Sequence, residues 1–469
     1  ISPINGTAGL QVVFGTAPVN LTDDPQGAVN TPVIAYTYAE AAQQLGYSDD
    51  WEHYTLCQSM SACFQVFGVS PVIFINVLDP EKHRKALEET EINIAAGSGT
   101  VKETGILKST VSVSCGDTAC QEGEDYLLAF DSSGYLKISA IPGGKLEGQS
   151  TAVVSGFMLD PEAVTKEEVI GGLDPDTGKE TGIELVRAIY PKTGMTPGLL
   201  LAPGWSHIPE VAAAIQAKCT GINGCYSCEC LIDIDSAKAK KYTDVKTVKE
   251  KTGITSVHAM ALWPMVKIGE QKYWYSAILG ALIAYSDAAN DNVPNLSPSN
   301  QLMSITAACT LDGTEILLDQ EQANLLNAQG VSTALNMNGF RAWGNKSAAY
   351  PNTTDPKDCW FNCRRFFSWW GNTFILTYFQ KVDKPANYRL IESIVDSENI
   401  RGHSYVARGY CARAEITFDY DENPVTDLMN GKIQFHQYLS PYVPAEVIKN
   451  TLEFDPLAIQ SALATESAV

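Results

Sequence analysis

Four cysteines stand close enough in the sequence to bind a metal ion together. Four thiolates can hold zinc or an iron–sulfur cluster, and the same side chains can also pair as disulfides or remain inert thiols. No second Cys-x-x-Cys pair lies nearby, and the segment leads into a predicted strand at residues 230–235, where successive side chains point to opposite faces. The pattern therefore favours inert thiols over a disulfide or a metal site. The weak metal candidates are Cys219, Cys225, Cys228 and Cys230.

The other polar residues form no catalytic motif. The six histidines are isolated, without the HExxH or H-x3-H spacing of metal sites. Neither a G-x-S-x-G nucleophile elbow nor a phosphate-binding glycine loop is present. We therefore predict a non-enzymatic protein without a cofactor. A metal-binding enzyme built on the cysteine cluster is kept as an alternative.

Composition limits the class of protein. A chain of 469 residues predicts about two to four domains. Its net charge of −21 argues against direct binding of nucleic acid, which needs a surplus of Lys and Arg. The longest apolar run, residues 277–285, has about half the length of a membrane span, so no membrane insertion is predicted. The first residues show no signal peptide, and we expect some residues before Ile1 to be missing.

The charge is unevenly distributed along the chain. Residues 86–190 carry 7 Lys/Arg against 18 Asp/Glu, whereas residues 341–413 carry 11 against 6. An acidic segment favours solvent exposure, and a basic one suits an acidic protein partner. The alternative is an uneven surface composition without a function.

Strand and helix patterns alternate in two parts of the chain. Their order predicts an α/β core with a mixed sheet. The predicted strands are residues 10–20, 31–37, 71–78, 197–205, 230–235 and 258–266. The predicted helices are residues 38–46, 55–67, 209–218, 245–253 and 320–328.

Residues 86–190 interrupt this core and have the pattern of a β-rich insertion. Short alternating runs are separated there by Gly, Asp and Ser turns. We therefore predict a multidomain α/β (α+β) fold, with a mixed-sheet core, an inserted β-rich domain and a C-terminal α+β assembly domain. The predicted segments are the first part of the core with an extended N-terminal arm (1–85), the inserted outer domain (86–190), the continued core (191–340) and the C-terminal inner domain (341–469).

The last third of the chain differs from the rest in residue composition and pattern. A basic, aromatic block at residues 361–372 predicts packing aromatics, and a helix is predicted at 385–406. Two alternating runs, residues 411–421 and 431–440, are separated by Asn-Pro and Asn-Gly turn signals and predict an antiparallel strand pair. An extended piece follows at residues 450–455.

The order and spacing of these motifs resemble the contractile tail sheath family of phage tails and phage-tail-like particles. The resemblance covers residues 8–85 and 195–456. It rests on VVFGTAP near the start, PGLLLAPGWS and LIDID in the centre, N-x-x-G-V followed by R-x-W-G, and the N-P…G-K-I and PAEVI segments near the end. Two positions depart from the family pattern, because Lys346 stands where the family has Arg and residues 298–301 read PSNQ.

The resemblance implies a structural subunit that polymerises as stacked hexameric rings around an inner tube and contracts to drive the tube through a cell envelope. Extended arms of neighbouring subunits are implied to add strands to the C-terminal sheet. The donor arms would be Leu452 and Phe454 with their neighbours, and the residues around 1–7. The implied acceptor residues are Ala412, Ile416, Phe418, Ile433 and Phe435.

The basic segment 341–413 is implied to face the tube. Arg364, Arg365, Lys381 and Lys384 are candidates for ion pairs with the tube or with another subunit, and the alternative is that the two arginines pair within their own domain. Further implied partners are baseplate and tail terminator proteins. The implied location is a virion tail or phage-tail-like particle assembled in the bacterial host cytoplasm. A β-rich surface adhesin that binds through residues 86–190 is kept as a further alternative.

Overall fold

The computed structural model describes residues 6–466. The first unit follows the predicted alternation of strands and helices: β1 (Gln11–Gly15), β2 (Val33–Ala35), α1 (Tyr38–Leu45), α2 (Leu56–Met60), a π-helical continuation (Ser61–Phe67) and β3 (Val72–Asn76). α1 begins where the Thr37 side chain accepts a hydrogen bond from the Glu40 amide. The second helix ends at Gly68, whose left-handed φ of 65° turns the chain toward β3.

The β-rich insertion folds around its own apolar cluster. Its strands are β4 (Arg84–Asn93), β5 (Ser98–Val101), β6 (Ser112–Cys115), β7 (Thr118–Cys120), β8 (Tyr126–Phe130), β9 (Leu136–Ala140) and β10 (Thr151–Leu159). They form one sheet of order β4-β10-β6-β7 and a second of order β5-β9-β8. Buried Val113, Leu136, Ile138 and Val154 belong to a cluster separate from the main core.

The chain returns to the main core before residue 190. This stretch contains α3 (Lys166–Ile170), β11 (Gly172–Leu173), β12 (Glu180–Thr181) and α4 (Val186–Thr193). Its buried residues Val169, Ile183 and Ile189 pack into the main core cluster. The separate β-rich cluster is therefore shorter than the predicted segment 86–190, because apolar residues near its end are buried against the core sheet.

The second half of the core contains most of the predicted elements. They are β13 (Leu199–Leu201), α5 (Pro209–Ala217), β14 (Glu229–Asp233), α6 (Val245–Thr252), β15 (Ala259–Leu262), β16 (Met265–Ile268), β17 (Gln271–Tyr273), α7 (Tyr275–Ala289), β18 (Ala307–Cys309), α8 (Gln320–Asn327), β19 (Val331–Asn336) and β20 (Phe340–Trp343). The apolar run 277–285 lies in α7, a largely buried helix. None of the helices among residues 6–466 has the length and apolarity to span a membrane.

One eight-stranded mixed sheet organises the core. Its order is β2-β3-β1-β13-β14-β15-β19-β20, with antiparallel pairs at both ends and parallel pairs between them. The strand order of the sheet reverses at β1, which lies between β3 and β13. Open α/β sheets bind ligands at such a reversal, outside the carboxyl ends of the strands. Here Thr55 fills that end, because its hydroxyl accepts hydrogen bonds from the Thr16 amide and the Trp205 indole, each at 3.2 Å.

The C-terminal region combines helices with a two-stranded sheet. Its elements are α9 (Pro356–Cys359), α10 (Phe361–Tyr378), α11 (Tyr388–Ala407), β21 (Cys411–Thr417), α12 (Val425–Met429), β22 (His436–Pro441) and α13 (Pro456–Glu466). The predicted antiparallel pair is confirmed as β21–β22. The basic, aromatic block belongs to the long helix α10, a helix that the sequence analysis did not predict. Its rings pack together with Tyr405 in a third apolar cluster.

Candidate assembly site

Helix α10 joins the C-terminal region to the core. The Asn372 side chain accepts a hydrogen bond from the Ser227 amide at 3.0 Å and donates one to the Ser227 carbonyl at 2.7 Å. One turn earlier, the Ser368 hydroxyl donates to the buried Glu229 carboxylate at 2.6 Å. Because these hydrogen bonds are made by side chains on one face of α10, this helix is fixed to the core. α10 also contacts β22 of the C-terminal sheet.

Arg365 is an internal residue, which corrects its assignment as a candidate for contacts with other subunits. Its side chain is 2% exposed and forms an ion pair with Asp287 of α7. It also donates a hydrogen bond to the Ala8 carbonyl at 3.2 Å. Arg365 therefore pairs within the chain, but with a residue of the core and not with one of its own predicted segment 341–469. Arg364 is only slightly exposed and pairs with Asp358 at 3.0 Å, also within the chain.

The described chain begins against the same helix. The Gly6 amide donates to the Thr373 hydroxyl at 3.0 Å, and the Trp369 indole donates to the Gly6 carbonyl at 3.0 Å. The predicted N-terminal donor residues 1–5 lie outside the described residues. Gly6, the first described residue, therefore lies against α10.

The two-stranded sheet is held by one face of α11. The Asn399 amide group bonds the Ile416 backbone twice, accepting from its N–H at 2.9 Å and donating to its carbonyl at 3.1 Å. Gly402 approaches so closely that a Cβ there would lie 2.1 Å from the Ala414 carbonyl oxygen. These contacts occupy the outer edge of β21, so Ile416 is not a free acceptor for an incoming strand. This corrects the prediction for that residue.

The free edge belongs to β22. Ile416 is opposite Gln437, and Ala414 is opposite Leu439. The N–H and carbonyl of Ile416 point away from β22 toward Asn399, so Ile416–Gln437 and Ala414–Leu439 are non-hydrogen-bonded pairs of the ladder. In such pairs the backbone groups of Gln437 and Leu439 point away from β21. No other strand of residues 6–466 pairs with this edge. β22 therefore presents an unpaired edge of the kind to which another strand can add.

The other predicted acceptor residues lie at or beyond the ends of the ladder. Phe418 follows β21, and Ile433 and Phe435 precede β22. In the connection between the two strands, the Asn423 side chain accepts a hydrogen bond from the Gln434 N–H and donates one to the Gln434 carbonyl. The Phe418 and Phe435 rings contact each other with centroids 6.0 Å apart. Ala412 lies at an irregularity of the register and is exposed.

A long exposed segment follows β22. Residues 442–455 contain neither helix nor strand, and their apolar side chains face solvent, with Ile448 87%, Leu452 89% and Phe454 75% exposed. The predicted extended piece is therefore present and unpaired within the described chain. Exposed apolar side chains in such numbers mark an interaction segment.

Lys346 anchors the root of this segment. Its ammonium lies 3.1 Å from the Glu446 carboxylate and only 3.3 Å from the centroid of the Trp360 ring. The Tyr350 ring is on another side, 4.8 Å away. Although it is a lysine, this side chain is just 9% exposed. Charge pairing and cation–π attraction thus fix the point from which residues 447–455 extend.

The turn between α10 and α11 forms a basic tip with exposed apolar residues. Lys384 is exposed and Lys381 is half-exposed, so both remain available for the predicted contacts. Phe379 and Val382 are 70% and 62% exposed beside them. The tip therefore combines positive charge with apolar surface.

The four cysteines of the candidate metal cluster do not converge. Cys219, Cys228 and Cys230 are buried, and the thiols of Cys228 and Cys230 are hydrogen-bonded to the sulfur of Cys219. Cys225 is exposed. Burial raises the pKa of the Cys228 and Cys230 thiols well above the ordinary value. No group of three or more His, Cys, Asp or Glu side chains is placed to hold a metal ion in the described part of the chain.

Sequence reasoning missed the residues that shape the assembly site. Asn399 and Gly402 are α11 residues, and the Asp287 partner of Arg365 and the Glu446 partner of Lys346 are far from them in the chain. A glycine inside a predicted helix is a signal of close packing that Gly402 offered. The two ion pairs gave no local signal.

A core-mounted sheet with a free edge and an exposed apolar arm is typical of a structural subunit that assembles by strand exchange. No protein-family model matches the chain. It is 26% identical over 453 residues to the tail sheath protein of Burkholderia phage BcepMu, which covers 90% of this chain and 87% of that protein. It is also 26% identical over 300 residues to the tail sheath protein of Escherichia phage P2, covering 61% and 69% of the two chains.

A solved structure shares the whole fold. The sheath complex of an extracellular contractile injection system (PVC), in its contracted state, matches with a TM-score of 0.58 and 12% identity over 98% of this chain and 95% of that chain. The resemblance recognised from the sequence is thereby confirmed: the chain is similar to curated tail sheath proteins over most of its length, and its fold matches that of a contractile sheath. Its relatives are structural proteins.

Proposed function

We propose that this chain is the sheath subunit of a contractile tail and polymerises with copies of itself as stacked rings around an inner tube. The observation that carries the proposal is the exposed arm of residues 442–455 beside a free β22 edge. The arm of one copy adds to the β22 edge of the next copy, which gives a contact between two different surfaces. Such contacts form rings where the rotation between copies closes, and open helical stacks where it does not.

The structure favours one acceptor edge and one donor. The outer edge of β21 carries the Asn399 amide, so an incoming strand pairs with the backbone groups of Gln437 and Leu439. The apolar donor residues Leu452 and Phe454 supply the side chains that such a pairing buries. The N-terminal arm, which lies outside the described residues, is a second proposed donor. The arms keep copies connected while the cores repack during contraction, so no nucleotide hydrolysis is required.

The basic tip between α10 and α11 docks on the tube. Lys381, Lys384 and the exposed Arg389 line one groove, and Phe379 and Val382 are exposed close to Lys381 in the chain. An acidic tube surface is their complement. The acidic insertion then points away from the tube. Baseplate and terminator proteins contact the ends of the assembly, which forms in the cytoplasm of the bacterial host.

Electron microscopy of the purified protein tests self-assembly. The full chain is expected to form rings or hollow tubes. Deletion from residue 450 onward is expected to abolish them and leave a folded, soluble monomer. Unfolding of the truncated protein would show instead that the last segment completes its own fold.

Substitutions in the arm sharpen this test. Leu452→Asp with Phe454→Asp should prevent tube formation, because a charged side chain cannot be buried in an added strand. Leu457→Asp with Ile459→Asp is the matched control, since these exposed residues lie in α13 beyond the donor segment. Tubes formed equally well by both double variants would contradict the proposed donor.

A further inference from the structure

The inserted β-rich region contains two cysteines in direct contact. The sulfur atoms of Cys115 and Cys120 are 3.6 Å apart. They lie on the β6–β7 hairpin, where Cys115 is opposite Thr118 and Cys120 is opposite Val113. Both side chains therefore project from the same face of the hairpin, as diagonal neighbours across the two strands.

The hairpin holds the two thiols together. Its loop consists of Gly116 and Asp117, and Gly116 has the left-handed φ of 56° that this position of a two-residue turn requires. β7 is the edge strand of its sheet. Diagonal neighbours are usually farther apart than a disulfide spans, so the bond needs a shift of the backbone as well as rotation of both side chains. An edge strand has one unpaired side and can make such a shift, which brings the sulfurs to bonding distance, about 2 Å.

Accessibility distinguishes this pair from the other contacting cysteines. Cys115 and Cys120 are both partly exposed, whereas Cys219, Cys228 and Cys230 are completely or almost completely buried. A dissolved oxidant can reach the first pair in the folded protein but not the second group. Cys225 is exposed, but its sulfur has no thiol contact among the described residues.

We propose that Cys115 and Cys120 are a disulfide-forming site, oxidised in the folded chain by a small-molecule disulfide. One thiolate attacks the oxidant and forms a mixed disulfide while one small thiol leaves. The second cysteine then attacks the protein sulfur of that mixed disulfide and releases the other small thiol. The protein loses two protons and two electrons, and the oxidant takes them up and is reduced to two thiols. The disulfide covalently links the two strands of the β6–β7 hairpin, and its formation does not depend on the proposed assembly.

Oxidised glutathione added to the purified full-length chain tests the site. After alkylation of the remaining thiols, the peptide containing both cysteines is expected to lack alkyl groups and to weigh about 2 Da less than its reduced form. Backbone amides of residues 113–120 should exchange hydrogen about tenfold more slowly in the oxidised protein. Because burial, followed by the hydrogen bond to Cys120, raises the pKa of the Cys115 thiol to about 11, oxidation should accelerate about tenfold from pH 7 to pH 8.

Two variants make the result decisive. Cys115→Ser should abolish the 2 Da loss and leave Cys120 free or glutathionylated, whereas Cys225→Ser, at the solitary exposed cysteine, should leave the loss unchanged. Circular dichroism confirms that both variants are folded. The proposal is overturned if both thiols of the wild-type pair remain alkylatable when Cys225 has been glutathionylated, or if the bond formed joins two chains.

Discussion

At the scale of single residues, α11 determines how the C-terminal sheet is seated. Glu398 accepts a hydrogen bond from Gln437 of β22 at 2.7 Å, and Asn399 bonds Ile416 of β21. Glu398 is itself paired with buried Arg401, whose guanidinium lies 3.7 Å from the centroid of the Trp370 ring. Both strands are thus attached to one helix by polar side chains. Asn399 occupies the β21 edge, which leaves β22 as the open edge.

The first prediction concerns Gly402→Ala. The added methyl would overlap the Ala414 carbonyl, so β21 must move, and we expect the free energy of unfolding to fall by about 1–3 kcal/mol. Urea denaturation of unassembled protein measures this loss. Gly371→Ala, in α10, is the matched control: a Cβ there meets no atom within 4 Å, and alanine should be neutral or stabilising by up to about 1 kcal/mol. Equal effects of the two substitutions would refute the close contact.

The second prediction concerns the pH dependence of stability through Asp233. This buried carboxyl at the end of β14 accepts a hydrogen bond from the Ser276 amide at 2.9 Å, and burial raises its pKa to about 6. Between pH ~4 and 6 the folded protein holds a proton that the unfolded chain releases, so this group's stabilisation is lost as pH rises. Asp233→Asn retains the acceptor and removes the titration.

The expected difference is large enough to measure. The wild type should lose up to about 3 kcal/mol of stability relative to Asp233→Asn between pH 4 and pH 7. Urea unfolding at each pH, again on unassembled protein, gives the two curves. Parallel curves would show that Asp233 does not titrate in this window.

At the scale of elements, the arm is an extended segment with one fixed point. Beyond Glu446 its residues 447–455 are all exposed, whereas Tyr442 is attached to the core, because its carbonyl accepts a hydrogen bond from the Asn362 side chain at 3.5 Å. The Lys346–Glu446 pair therefore marks where attachment ends. An arm that leaves the subunit at a defined point is presented to a neighbour in a narrower range of directions, which lowers the entropy lost on pairing.

The third prediction tests this fixed point. Glu446→Gln should release the root of the arm and raise amide hydrogen exchange in residues 442–447 about tenfold, because it leaves Lys346 nearly buried without a counter-charge. Hydrogen exchange is measured on unassembled protein. Glu453→Gln, farther along the exposed arm, is the control and should change nothing there. Unchanged amide hydrogen exchange in Glu446→Gln would mean that the Tyr442 contact alone holds the start of the arm on the core.

At the scale of the whole molecule, charge is unevenly distributed along the chain. Acidic residues are in excess in the segment 86–190, and basic residues are in excess in the segment 341–413, which contains the exposed tip. An overall charge of −21 would repel an acidic partner, so docking of such a partner depends on the local positive field of the tip. This separation favours the orientation proposed for the subunit.

The fourth prediction concerns that tip. Lys381→Glu with Lys384→Glu should weaken cosedimentation with purified tube protein at least about tenfold, and wild-type binding should weaken as salt rises. Lys246→Glu with Lys251→Glu, on the exposed face of α6, removes the same charge elsewhere and serves as the control. If both double variants bind the tube equally, the tip is not the docking surface.

Local patterns were sufficient for much of the fold. Helices 38–46 and 245–253 were predicted within one residue, because each ends at a glycine. The block at 361–372 was recognised as packing aromatics but not as a helix, since its apolar residues surround the axis and leave no clear period. The predicted strands 411–421 and 431–440 extend beyond the real ladder because Asn423 closes the connection between them.

The sequence by itself determined the α/β core, the β-rich insertion, the antiparallel pair and the resemblance to sheath proteins, since all of these depend on local periodicity and motif order. Only the tertiary structure decided that Arg365 is internal, that Asn399 and Gly402 occupy the β21 edge, and that Lys346 holds Glu446. The reason is physical: a charge or a strand edge has the same local pattern whether it is buried, paired or free. Contacts between residues distant in the chain select among these states.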